Sequence, residues 1–98
     1  AVDLRSYSTT YGKWASIVLS DKNKWMYWIP EGFAHGFLTL EDQTVFFYKC
    51  TNVYNRESEG SIRWNDPTLN IDWKISNLPI LSEKDQNAPL FSDFDNPF

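Results

Sequence analysis

Ile29-Pro30-Glu31-Gly32-Phe33-Ala34-His35-Gly36-Phe37-Leu38-Thr39-Leu40, broken by Glu41-Asp42-Gln43 and resumed as Thr44-Val45-Phe46-Phe47-Tyr48-Lys49-Cys50-Thr51, reads as a hard corner followed by two strands. Both runs are short, rich in β-branched and aromatic residues, and bounded by turn formers. In the corner, Pro30 supplies the fixed φ of a turn and Gly32 the positive φ that lets the chain reverse. If Glu41-Asp42 closes a two-residue hairpin, His35 faces Tyr48, Phe37 faces Phe46 and Thr39 faces Thr44. A loop one residue longer sends Tyr48 to the opposite face, because a single slip inverts every side chain. One face carries Phe37 and Phe46, the other Ala34, Leu38, Leu40, Val45 and Phe47. Neither suits water, which predicts a sandwich with one face lining a pocket and the other meeting a second layer or a second subunit.

The same pattern extends outward. Further strands are expected at Lys13–Leu19, Trp25–Ile29 and Ser61–Trp64, divided by Ser20-Asp21-Lys22-Asn23-Lys24 and by the polar stretch Asn52–Gly60. No long helical period occurs. A short helix is expected at Ser82-Glu83-Lys84-Asp85, with Ser82 as N-cap and Asp85 placed like the acid of a capping box. Phe91–Phe98 alternates aromatics with Asp and closes in Asn96-Pro97-Phe98, as a docked or frayed tail does. There are no internal repeats and no low-complexity linker, so residues 1–98 are expected to form one all-β domain, a double-stranded β-sandwich with a short helical segment near its C-terminus.

Composition sets the limits. The 98 residues are 42% apolar and include five Trp, five Tyr and seven Phe, enough for a core and unlike a disordered acidic tail. A domain of this size buries proportionately little surface, so help from a partner chain or a further segment is expected. The net charge of -4 is mixed along the chain, which argues against a nucleic-acid partner and against a membrane-surface helix. A small phosphorylated ligand would need a few local cations. Cys50 stands alone, excluding an internal disulfide, and the opening AVDLRSYSTT lacks the pattern of a signal peptide, so the cytoplasm is the expected compartment. No apolar run approaches the ~20 residues that span a bilayer.

Imidazole chemistry rests on His35 alone. A metal centre is not expected, since one imidazole cannot complete a ligand set. A His among apolar neighbours is ordinarily a hydrogen-bonded core residue, and Tyr48 equally packs as a core aromatic. Facing each other inside a barrel, the two would form a buried polar cluster needing further hydrogen bonds. Asp85 reads as a first-turn acid. Tyr54 and Glu59 read as exposed loop residues, and Lys84 and Arg63 as solvated cations able to meet a phosphate. Residue by residue, this specifies a small β-sandwich with a His/Tyr cluster and no particular reaction.

The stretch Ile29–Phe37 with Tyr48 in Phe47-Tyr48-Lys49 closely resembles the dTDP-4-dehydrorhamnose 3,5-epimerases. So do Tyr11-Gly12-Lys13-Trp14, Ile62-Arg63-Trp64-Asn65-Asp66-Pro67, Ile71-Asp72-Trp73 and Ile80-Leu81-Ser82-Glu83-Lys84-Asp85. The resemblance runs from Val2-Asp3-Leu4-Arg5 to about Pro89 and corresponds to the second half of a typical member. It implies a cupin jelly roll, usually a homodimer, without a cofactor, that inverts two carbons flanking the keto group of a dTDP-linked 4-keto-6-deoxy sugar. The logic is proton abstraction beside a carbonyl, stabilisation of the enolate and return of a proton to the opposite face. By the same resemblance Tyr48 matches the proton donor and Asp85 the carboxylate that pairs with the catalytic His. His35 matches a substrate-contacting pocket histidine, Tyr54 the aromatic that stacks on thymine, and Glu59 and Lys84 substrate contacts. The family's base lies upstream in an Arg-Gly-Leu-His type motif, which this sequence does not contain. The competing expectation is a non-catalytic cupin half that binds a nucleotide sugar or serves as an interaction module.

Overall fold

Val2–Asp3 (β1) pairs antiparallel with Phe33–Ala34 (β2), Val2 opposite Ala34 and Asp3 opposite Phe33, in the computed structural model, which describes residues 1–98. The corner before β2 makes this pairing possible. Gly32 has φ 84° and its carbonyl accepts the Leu4 N–H at 2.8 Å. A Cβ on Gly32 would sit 2.5 Å from Arg5 Cγ, so the turn needs glycine for both its dihedral and its neighbour. On its other edge β1 meets Trp14 through an isolated bridge with Val2.

Around this small sheet Val2, Leu4 and Leu69 form the buried core, with Trp14, Ala34, Ile62, Ile71, Phe91 and Phe94 packed against it. Two carboxylates are buried beside the apolar side chains. Asp3 is 1% exposed and receives Arg5 Nε and Nη2 on its two oxygens, each at 3.0 Å. That guanidinium holds the Asp3 carboxyl well below the usual carboxylate range, outweighing burial, with Thr10 and Ser8 adding hydroxyl donors. Asp66 follows Asn65 and precedes Pro67. Its Oδ1 accepts the N–H groups of Thr68 and Leu69 at 2.9 Å, and its Oδ2 accepts the N–H of Phe91 at 2.7 Å. Burial is the largest influence on the Asp66 carboxyl and raises it, but these three amides and Arg63 together overcome it and leave it lowered.

The tail is docked. Asn96 Nδ2 donates to the Leu4 carbonyl at 2.7 Å, and Ser6 Oγ donates to the Phe98 carbonyl at 3.0 Å. Just ahead of it, Arg63 donates its backbone N–H to Pro89 at 2.8 Å and its Nε to Ala88 at 3.3 Å. The helix expected at Ser82–Asp85 is present as Glu83–Gln86 (α1), and Ser82 Oγ accepts the Asp85 N–H at 3.2 Å. The Asp85 carboxylate returns no bond, so the cap is one-sided. Two single 3-10 turns, Arg56–Ser58 and Phe91–Asp93, complete the regular structure.

The chain is therefore largely non-helical with a small antiparallel sheet, as an all-β reading requires. Its ladders are far shorter than the sequence predicts. Of the strands expected at Lys13–Leu19, Trp25–Ile29, Phe33–Leu40, Thr44–Thr51 and Ser61–Trp64, ladder bonds form only at Trp14 and at Phe33–Ala34. The strand at Val2–Asp3 was not expected, because two residues are too short to show a period of two. In total 20 backbone–backbone hydrogen bonds form, where a chain of this length ordinarily has about 65. The radius of gyration is 14.1 Å, against about 13 Å for a compact domain of this size. Both figures have one physical cause: the segments that read as strands find no partner strands within these 98 residues.

Candidate functional site

Side chains singled out from the sequence gather around α1. Lys84 Nζ lies 2.7 Å from Glu59 Oε2, joining α1 to the segment after the 3-10 turn at Arg56–Ser58. Asn55 caps that turn by accepting the Glu57 N–H, which fixes the approach of Glu59. Lys84 holds the Glu59 carboxyl below its usual range, and Glu59 in turn raises the Lys84 ammonium. Tyr54 joins the pair. Its phenol is raised first by burial and next by the negative charge of Glu59, with Lys84 opposing and Tyr48 adding to the rise. Tyr54, Glu59 and Lys84 thus lie within electrostatic reach of one another, and Tyr48 within reach of Tyr54. Two phenols beside a carboxylate–ammonium pair can donate hydrogen bonds, present an aromatic face and meet an anionic group.

The approach to Tyr48 is aromatic. Phe37 and Phe46 stack with centroids 3.8 Å apart and planes 12° apart, the pair that a two-residue loop puts opposite each other. Tyr48 stands next, 5.4 Å from Phe46. The intervening turn is held by Thr44 Oγ1 donating to the Glu41 carbonyl at 2.6 Å, with Gln43 at φ 59°.

The expected buried His/Tyr cluster is not formed. His35 is exposed and hydrogen-bonds to no other residue, and Tyr48 is 67% exposed. The Asp85 carboxylate likewise stands unpaired at the surface of α1. The reason is the one that shortened the ladders: no other segment of the 98 residues packs over these groups. Two depressions lie elsewhere, about 380 Å³ along Trp64 and Ile71–Leu78 and about 230 Å³ between Ala1, Trp14, Tyr27 and Phe33. Neither contains any of the six candidates. No group of three or more His, Cys, Asp or Glu side chains is placed to hold a metal ion, and no helix is long and apolar enough to cross a membrane.

Sequence reasoning missed the residues that hold α1 in place. Arg63 and Asp66 tie Ala88, Pro89 and Phe91 to the core, immediately after the helix carrying Lys84. The signal was there in Asn65-Asp66-Pro67, an Asx residue before proline, which favours a carboxylate accepting local amides.

A sequence profile of the family described as dTDP-4-dehydrorhamnose 3,5-epimerase matches residues 1–93. The chain belongs to this family. It is 56% identical over 90 residues to the dTDP-4-dehydrorhamnose 3,5-epimerase of Salmonella typhimurium, covering 92% of this chain and 49% of that protein. To the protein of the same name from Shigella flexneri it is 50% identical over 95 residues, covering 97% and 52% respectively. The crystal structure of dTDP-4-dehydrorhamnose 3,5-epimerase from Elizabethkingia anophelis NUHP1 superposes with a TM-score of 0.87 at 51% identity, over 97% of this chain and 52% of that one. The chain thus spans about half the length of the epimerases it matches. A backbone so similar to that solved epimerase, in spite of its few internal ladders, has the shape of a larger fold.

Proposed function

We propose that this chain provides the acid and nucleotide-contacting part of an epimerase acting on a dTDP-linked 4-keto-6-deoxy sugar, within a cupin jelly roll that works as a cytoplasmic homodimer. The observation that carries this reading is the grouping of Tyr54, Glu59 and Lys84, with Tyr48 near Tyr54, in a chain about half-identical to named epimerases. Residues 1–98 form one part of that jelly roll. The substrate carbonyl acidifies the protons on both flanking carbons, so a base need only remove a proton and leave an enolate. Tyr48 then delivers its phenolic proton to carbon from the opposite face, beside the stacked rings of Phe37 and Phe46. Lys84 meets substrate oxygen atoms while Glu59 positions it, and the Tyr54 ring stacks on the thymine. His35 contacts the sugar. Asp85 orients the base imidazole, fixing its tautomer and stabilising its charged form.

The test is Tyr48→Phe in a protein that also carries the base histidine. Removing a positioned general acid should lower turnover by about 100-fold or more, with dTDP affinity changed less than twofold. Unchanged turnover would exclude the acid role. Since His35 is the one imidazole in the 98 residues, a second reading holds for the chain by itself: it binds nucleotide sugar and does not exchange the sugar's protons. Titration with dTDP followed by Trp fluorescence, alongside deuterium incorporation from solvent, separates the two. Exchange catalysed by the chain alone would refute the binding-only reading.

A further inference from the structure

We infer that Trp73 is a positioning residue: its indole sets where the His35-Gly36-Phe37 segment presents His35 to the sugar. The functional half of this inference rests on the sugar contact proposed above for His35. The contact behind it lies at Gly36. A Cβ there would meet one atom within 4 Å beyond its chain neighbours, Trp73 Cη2 at 3.6 Å, an ordinary van der Waals distance. Gly36 does not lie in the left-handed region, as Gly12 and Gly32 do, so its backbone does not demand glycine. What the missing side chain provides is room for the six-membered ring of Trp73 against the main chain beside His35. A methyl group would fit, and a longer side chain would push the ring away.

Trp73 is itself fixed from the other side. Its Nε1 donates to the Trp64 carbonyl at 2.8 Å, so the indole spans from that carbonyl to Gly36. Trp73 also borders the depression along Trp64 and Ile71–Leu78. The loop is open on that side, and the N–H bond rather than close packing sets the angle of the ring. The backbone carrying the indole is held with equal care. Asn70 at φ 49° and Lys74 at φ 55° bracket Ile71-Asp72-Trp73. Asparagine tolerates this region, lysine less readily. Such a backbone persists only where its surroundings over-determine it. Here the Asp66 carbonyl accepts the Asn70 N–H at 2.9 Å, and Asp72 Oδ1 accepts the Lys74 N–H at 2.9 Å. Asp66 and Trp64 thus fix the loop and the ring, and the ring in turn fixes the place of Gly36, one residue from the imidazole.

Two measurements test this, one structural and one kinetic. In the chain itself, ¹⁵N relaxation should give the Gly36 amide an order parameter near that of ordered backbone, about 0.85, falling below about 0.6 in Trp73→Phe. Hydrogen exchange at Leu69 and Phe91 should stay unchanged, which separates a freed segment from a lost fold. In a protein that also carries the base histidine, Trp73→Phe should raise KM for the sugar nucleotide about tenfold with kcat changed less than about twofold. Affinity for dTDP, which lacks the keto sugar, should not change. The deciding comparison uses His35→Ala. In that background Trp73→Phe should raise KM no further, because a residue that acts through His35 has nothing left to position. Additive effects of the two substitutions would show a general structural role and overturn the inference. So would a Gly36 amide equally mobile in the parent chain and in Trp73→Phe. An unchanged KM in His35→Ala refutes the sugar contact itself, and the relaxation data then decide alone whether Trp73 holds the segment.

Discussion

Residues Val2–Lys13 with Asp66–Leu69 and Phe91–Phe98, set against residues Ala15–Cys50, show the same composition leading to opposite results. Both regions are rich in aromatic and branched residues. In the first, β1 has its ladder, Asp3 and Asp66 have their donors, and no buried side-chain nitrogen or oxygen is left without a partner. In the second, Trp25, Trp28, Val45 and Phe47 face solvent. Apolar side chains do not choose between these outcomes, because hydrophobic attraction has no direction. What separates the regions is how much of the backbone is paired, since Ala15–Cys50 contributes only Phe33–Ala34 to a ladder.

Acid should erase the contrast, and with the largest effect. Asp3 and Asp66 both have lowered carboxyl values in the folded chain. Near and below about pH 4 the unfolded state binds more protons than the folded one, so stability rises with pH there. The stabilisation is complete above the ordinary carboxylate range and is lost as pH falls through the lowered folded values. Hydrogen exchange between pH 6 and pH 2, corrected for intrinsic rates, should show protection at Leu69 and Phe91 disappearing, while His35–Cys50 stays unprotected throughout. Protection at pH 2 equal to that at pH 6 would exclude the two carboxylates as its source.

Asp66→Ala tests one carboxylate at neutral pH. It leaves three amides without their acceptor and should cost about 3 kcal/mol, measured by urea unfolding. Gly32→Ala comes next, because a non-glycine residue at φ 84° beside Arg5 should cost about 1–2 kcal/mol. A thermal midpoint unmoved by Gly32→Ala would show that the corner relaxes. At the small end, Val45→Thr in the isolated chain should change stability by less than about 0.5 kcal/mol, since Val45 is 90% exposed.

How much of this was legible varied with sequence distance. Pro30-Glu31-Gly32 and Ser82 announced a corner and an N-cap, and both are present, because each depends on residues a few positions apart. The Phe37–Phe46 pair was also readable, being set by one short loop. Val2–Asp3 gave no sign of pairing with Phe33–Ala34, and Asp3 with Arg5 gave no sign of burial, since both depend on contacts that no local pattern encodes. At the candidate site, Tyr54, Glu59 and Lys84 are named by family resemblance alone, and the Glu59–Lys84 ion pair spans 25 positions that no spacing rule connects. His35 and Tyr48 were expected to be buried together. The pattern of alternating apolar residues marks a face to be covered without saying which chain covers it.

The bonds from Asn96 to Leu4 and from Ser6 to Phe98 each link residues 92 positions apart. Closing so long a loop costs little more than closing one half its length, but it imposes an order in time. During synthesis at ~5–20 residues per second, Leu4 and Ser6 must wait several seconds for Asn96 and Phe98. Until then Leu4 has no Asn96, and this segment is held by its nearer partners, Arg5, Lys13 and the corner at Gly32.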